Sequence, residues 1–195
     1  MEPYTISLYD NVPALPTDPH FKPAGILVIA GSKTSRKDSL ANVLTPSDLD
    51  LEIRLVSHIE HMSPRTPRPH IDIITCTCDM SSRPSFDLLR MNLQCISPEY
   101  FLGRVVVVGF SGDEIKVARR EVVEWVTSIS EDVPIYFVDA GNQQTLQDVA
   151  SHILKRTRVA AGYIPHASLL LLDALGGPEQ VRLQEEAASD PMQVY

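Results

Sequence analysis

Positive charge is scarce in this chain of 195 residues, where 17 Lys and Arg stand against 25 Asp and Glu and leave a formal net charge of -8. That deficit argues against direct binding to a nucleic-acid backbone, because such affinity rests on Lys and Arg neutralising phosphates and releasing counterions. Any link to DNA would run through a partner. Long hydrophobic runs are missing as well. No stretch approaches the ~18 consecutive apolar residues that suggest a membrane span, and the opening MEPYTISLYD has neither the basic nor the apolar region of a secretory signal. Cysteine is sparse and odd in number. Cys76 and Cys78 alternate within an apolar strand, and with Cys95 they suit reduced thiols in an intracellular protein better than a disulfide framework; C-x-C is not zinc-finger spacing. The expectation is a soluble protein of the cytosol or nucleus.

What is present is ordinary for one globular domain with a real core: 44% apolar and 22% charged residues. Residues 1–24 carry Pro3, Pro13, Pro16, Pro19 and Pro23, which deny helix and ladder hydrogen bonds and predict an extended arm. Residues 25–176 hold the folded domain, and 177–195 form an acidic tail predicted to be disordered. Within the domain, Ile26 to Ala30 is a continuous apolar run, as expected of a strand buried on both faces. A polar loop follows, then a short helix stopped before Pro46. The stretch 49–57 alternates Leu49, Leu51, Ile53 and Leu55 with Asp50, Glu52 and Arg54, which predicts a half-exposed edge strand. A proline-rich loop spans 58–70, strands are predicted at 71–80, 105–110 and 134–139, and helices carry Phe86, Leu89, Leu93 and Ile96, then Ile115 to Ile129, then Leu146 to Leu154. Alternating strands and helices imply an α/β fold, a mainly parallel sheet covered on both faces.

Two motifs sit where nucleotide chemistry would be and carry the wrong residues. After the first strand, Gly31 and Lys37 hold the spacing of a phosphate loop, G-x-x-x-x-G-K-[ST]. Arg36 replaces the second glycine and crowds the wrap around phosphates, and Asp38 sets negative charge where a hydroxyl would meet magnesium. After the strand 105-VVVVGF-110, the guanine motif N-K-x-D of a small GTPase is reduced to Asp113, with Phe110 and Ser111 in place of Asn and Lys. No D-x-x-G occurs between residues 49 and 75, so the element that senses a third phosphate is missing. The pattern is that of a small-GTPase-like scaffold, of the P-loop type, without cofactor, catalytic residue or metal. A divergent GTPase or nucleotide-binding regulator is the alternative. A third reading takes 109-GFSGD-113 as a nucleophile elbow, with Ser111, Asp139 and His152 or His166 in hydrolase order; against it, Asp113 stands where that turn needs a small residue. His58, His61 and His70 cluster in a loop without a third fixed ligand and read as solvated.

The runs 69-PHIDIITCTCDMSSRPSFDLL-89, 100-YFLGRVVVVGFSG-112 and 161-AGYIPHASLLLLDAL-175 together resemble the centromere protein M family. The family's R-P-R-I-D is matched by Arg68, Pro69, Ile71 and Asp72; its F-L-G-K turn by Phe101, Leu102, Gly103 and Arg104; and its A-G-x-x-P-G by Ala161, Gly162 and Pro165, with His166 in place of the last glycine, ahead of Leu169 and Leu170. The resemblance implies a small-GTPase fold without nucleotide chemistry, in the nucleus at the centromere and kinetochore, that binds centromere protein I in a complex with centromere proteins H and K. It directs attention to Phe101, Leu102, Leu169 and Leu170 as partner-binding residues. Leu169 to Leu172 cannot all face one side of a helix, since successive residues turn by ~100°, so some would point away from the domain's own core.

Overall fold

The computed structural model describes residues 25–45, 51–59, 71–112, 114–139, 141–164, 167–169 and 172. The proline-rich arm 1–24, the acidic tail 177–195, the histidines His61, His70 and His166, and the residues Asp113 and Leu170 lie outside the described residues, as does most of the leucine-rich segment 166–175.

Among the described residues five strands form one sheet: β1 (Gly25–Ala30), β2 (Leu51–Val56), β3 (Ile73–Asp79), β4 (Val105–Ser111) and β5 (Ile135–Asp139). Their order is β2-β1-β3-β4-β5, and every pairing is parallel. Parallel strands need crossovers; α1 (Lys37–Leu44) links β1 to β2, α2 (Arg83–Gln94) and a 3₁₀ turn at Pro98–Phe101 link β3 to β4, α3 (Arg119–Ile129) links β4 to β5, and α4 (Gln143–Ala160) follows β5 and packs back on the sheet. Two apolar layers result. On one face Val28, Ala30, Ile74, Cys76, Cys78, Val105 and Val107 meet Phe86, Leu89 and Leu93 of α2 and Val122 and Val126 of α3. On the other, Leu27, Ile29, Ile73, Val106 and Val108 meet Leu40 and Leu44 of α1 and Leu146, Val149 and Ile153 of α4. The fold is α/β with helices on both faces of a parallel sheet, and the buried runs of β1, β3 and β4 explain why their sequences are apolar without alternation.

β2 is an edge strand, as its alternation implies. Leu51 and Ile53 pack beside the second layer, but Leu55, expected on the same inward face, is 41% exposed. α3 starts later than its apolar spacing suggests: Ile115, expected on the helix, lies ahead of it and is 59% exposed. The backbone N–H groups of Lys116 and Val117 both donate to Met80 O at 3.0 Å, which holds this segment as a loop on the β3 turn.

Candidate functional site

In doubly wound sheets, ligands bind outside the carboxyl ends of the strands at the point where strand order reverses. Here that point lies between β1 and β3, flanked by the loop 31–36 that enters α1 and the turn 80–82 that enters α2. The degenerate phosphate loop therefore occupies the place where a nucleotide would sit.

Its side chains are turned inward on one another. Ser35 Oγ lies 2.7 Å from both Ser32 O and Thr77 Oγ1, and Thr77 Oγ1 lies 3.1 Å from Ala30 O, so two hydroxyl protons are shared among three contacts. Ser32 Oγ shares a 3.0 Å bond with Ser85 Oγ, which accepts from the Asp79 N–H at 2.9 Å. The crevice between the β1 and β3 loops is thereby laced by hydroxyls of the chain itself. Gly31 is required for that closeness. A Cβ there would lie 2.1 Å from Thr77 Oγ1 and 2.7 Å from Thr77 O.

Lys37 closes the other side of β1. Its ammonium donates to Gly31 O at 2.9 Å, Val56 O at 2.8 Å and Ser57 Oγ at 3.3 Å, one acceptor for each of its three N–H bonds. Those bonds tie the end of β1 to the end of β2, and the side chain is buried. Burial lowers its pKa from the ordinary value, partly offset by the negative charge of Asp38. Arg36 keeps the left-handed turn that a glycine would make, with φ 53° and ψ 23°, at a cost of roughly 1–2 kcal/mol relative to right-handed backbone. Asp38 is exposed in the first turn of α1, where a carboxylate complements the helix dipole instead of a phosphate.

The end of β4 offers no base-reading group among the described residues. Phe110 is buried in the second apolar layer, and the buried Ser111 hydroxyl donates to Met80 Sδ at 3.6 Å. Ser111 and Asp139 are register partners on β4 and β5, yet Asp139 binds Arg119 at 2.8 Å and His152 stacks on Tyr136, three register positions earlier on β5. Among the described residues no histidine joins Ser111 and Asp139, and His166, the other candidate base, lies outside them. Cys76 and Cys78 are buried, and burial pushes both thiols up to about 12. Among the described residues no group of three or more His, Cys, Asp or Glu could hold a metal ion, and no helix is long and apolar enough to cross a membrane.

A second region gathers the leucines. Tyr100, buried, and Phe101, half-buried against the first apolar layer, anchor the turn before β4. Gly103 adopts φ 82°, which favours glycine, and its carbonyl accepts from Arg156 of α4 at 3.2 Å. Arg104 N donates to Tyr100 O at 2.9 Å, and Arg104 Nη1 donates to Asp72 O at 3.3 Å. A turn pinned on both sides thus presents Leu102 at 57% exposure. Leu102 borders a groove of about 330 Å³ whose other walls are Arg104, Val159, Ala160, Ala167, Ser168 and Leu169. Leu169 is itself buried, so it forms the groove's inner wall and Leu102 its exposed lip. The hydroxyl network and Arg156 escape sequence reading. Arg156 falls at a buried position of α4, three residues after Ile153, and a cation on an apolar stripe is the signal that marks it.

Comparison with known proteins points one way. A family model described as centromere protein M matches residues 9–177. Centromere protein M of Xenopus laevis is 21% identical over 178 residues, covering 86% of this chain and 92% of that protein. Centromere protein M of Bos taurus is 23% identical over 183 residues, covering 90% and 96%. Among solved structures, the flavodiiron core of Flv1 from Synechocystis aligns with a TM-score of 0.47 at 10% identity, over 73% of this chain and 37% of that one, a likeness too loose to bear on function.

Proposed function

Since the chain belongs to the centromere protein M family, we propose that it is a non-catalytic pseudo-GTPase that serves the inner kinetochore as a structural subunit in the nucleus. Its partner is a helical protein of the centromere protein I type, in a complex with centromere proteins H and K, and the assembly supports chromosome segregation. The observation that carries the pseudo-GTPase half is the state of Lys37, whose three donors are spent on two strand ends and a serine. A phosphate would have to break those bonds and part the Ser32–Ser85 and Ser35–Thr77 bridges before it could enter.

The partner half is supported by Leu102. An apolar side chain held outward on a turn pinned on both sides loses little conformational entropy on burial, so the apolar area of a helix laid in the adjoining groove would count in full against the entropy cost of association. Phe101 fixes the turn from beneath, Leu169 supplies the wall, and Leu170 follows in the same segment. Tagged protein purified from dividing cells should carry a centromere protein I homologue and no stoichiometric guanine nucleotide. Leu102→Glu and Leu170→Glu should each lose the partner while leaving the domain folded, because each would put a charge into a desolvated contact. Stoichiometric GDP or GTP without kinetochore partners would replace this reading with that of a divergent nucleotide-binding regulator.

A further inference from the structure

The turn that carries Leu102 is closed on itself by two backbone bonds. Gly103 N donates to Phe101 O at 2.8 Å with Leu102 at φ -75° and ψ 58°, the geometry of an inverse γ-turn, and Arg104 N donates to Tyr100 O at 2.9 Å. Those bonds set the shape of the turn, and Ile74 N, donating to Arg104 O at 2.9 Å, ties its far end to β3. None of the three reaches α4, whose last turn supplies Val159 and Ala160 to the wall of the groove that Leu102 borders. The spacing of lip and wall is left to Arg156, whose Nη1 donates to Gly103 O at 3.2 Å, on the residue that follows Leu102. Val159 and Ala160 stand three and four places after Arg156 and share its face of the helix, so one stretch of α4 both builds the wall and grips the lip. That stretch is firmly ended. Gly162 adopts φ 78°, Tyr163 N donates to Arg158 O at 2.8 Å and Gly162 N to Val159 O at 3.1 Å, the paired bonds of a Schellman cap.

We propose that Arg156 is a positioning residue for partner binding: by holding Gly103 to α4 it fixes the spacing between Leu102 and the wall of Val159 and Ala160, and so keeps the groove in the form that a partner helix enters. The proposal rests on the reading of that groove as the partner site. Arg156 is buried and does not line the groove, so it acts through the turn and not by touching the partner. Arg104 is a poorer probe of the same turn, because it lines the groove as well as donating to Asp72 O. The residue type suits the task. A guanidinium presents its donors in a rigid planar fork, which fixes direction as well as distance, and its long apolar stem fills an interior position that methionine also fills without any donor. If the released turn spends about a tenth of its time at the right spacing, apparent affinity falls about tenfold. The loss falls on association, because the turn returns to one place in the complex.

A double-mutant cycle on the full chain tests this, read as association and dissociation rates with a centromere protein I-type partner in complex with centromere proteins H and K. Arg156→Met should slow association about tenfold and leave dissociation within about twofold. In a Leu102→Ala background the same change should cost less than about twofold, since no lip is left to position. In the unbound chain, NMR order parameters at the Leu102 and Gly103 amides should fall in Arg156→Met while those of Ile153 and Val159 in α4 stay as they are. Unchanged association, or an equal cost in both backgrounds, overturns the proposal. A wild-type chain that does not bind this partner, or binds it no better than Leu102→Ala does, refutes the reading of the groove, and the proposal falls with it. Should Arg156→Met not fold, Arg156→Lys, which keeps the charge and loses the planar fork, carries the same cycle with the same outcomes.

Discussion

Lys37→Met separates a retired nucleotide site from a working one by the sign of its effect. In a working site the lysine waits for phosphate, so its loss leaves the empty fold unchanged or more stable, as is common where function and stability compete. Here the ammonium joins Gly31 O, Val56 O and Ser57 Oγ. A hydrogen bond to a charged group contributes about 1.5–3 kcal/mol, but three such bonds do not add, and burial of the ammonium offsets part of them, as its lowered pKa records. Val56 O would keep its bond from Gly31 N, leaving Gly31 O without its lysine partner. The net expectation is a loss of about 2–3 kcal/mol, or roughly 4–12 °C in Tm for a chain of this size. Urea unfolding followed by the fluorescence of Trp125, which packs edge-on against Phe86 at 6.3 Å, reads it directly. The pH dependence has a definite sign. Between the lowered folded pKa and the ordinary 10.5, the unfolded chain holds the proton that the folded chain has released, so the Lys37 contribution to stability rises with pH through that window. The gap between wild type and variant should widen there. Unchanged or increased stability of Lys37→Met, together with a rise in wild-type Tm on adding GTP and magnesium that the variant lacks, would refute the reasoning.

Three further outcomes are expected. Gly31→Ala should lower stability by about 2 kcal/mol or more or prevent folding, because its Cβ would meet Thr77 Oγ1 at 2.1 Å and backbone at 2.7 Å; near-neutral behaviour in a urea titration would mean the β1–β3 crevice is looser than described. Leu169→Glu should unfold the domain, whereas Leu102→Glu should shift the urea midpoint little, since one side chain is 8% and the other 57% exposed; equal effects would remove the distinction between wall and lip. In native protein at pH 8, iodoacetamide should label Cys95 well before Cys76 or Cys78, whose buried thiols stay protonated; peptide mapping that finds Cys76 or Cys78 modified first contradicts the packing of β3.

Much of the fold was legible because it is periodic. The buried runs of β1, β3 and β4, the edge alternation of β2, and the spacing of Phe86, Leu89 and Leu93 or of Leu146, Val149 and Ile153 follow from side-chain geometry within one element. The misreadings fall where a contact between elements overrules that spacing. Ile115 continues the helical stripe of α3, yet two bonds to Met80 O hold it in a loop. Leu55 continues the inward stripe of β2, yet it sits where, among the described residues, the sheet has no neighbour on one side.

The candidate site divides the same way. Arg36, Asp38, Phe110 and Ser111 already depart from the phosphate-loop and base-motif patterns, because those patterns need particular atoms at particular positions and their replacement is visible residue by residue. What became of the vacated place was not visible. Lys37 alone reads as a phosphate ligand or a solvated surface lysine; only folding brings Val56 O and Ser57 Oγ, some twenty residues away, to its ammonium. Ser35 and Thr77, Ser32 and Ser85, and Arg156 and Gly103 are likewise pairs more than forty residues apart in sequence. Periodicity and residue identity at fixed spacing are properties of neighbours along the chain, and they determined the layers, the parallel sheet and the departures from the motifs. Which donor meets which acceptor across the ends of different strands depends on strand order and register, and that only the tertiary structure decided.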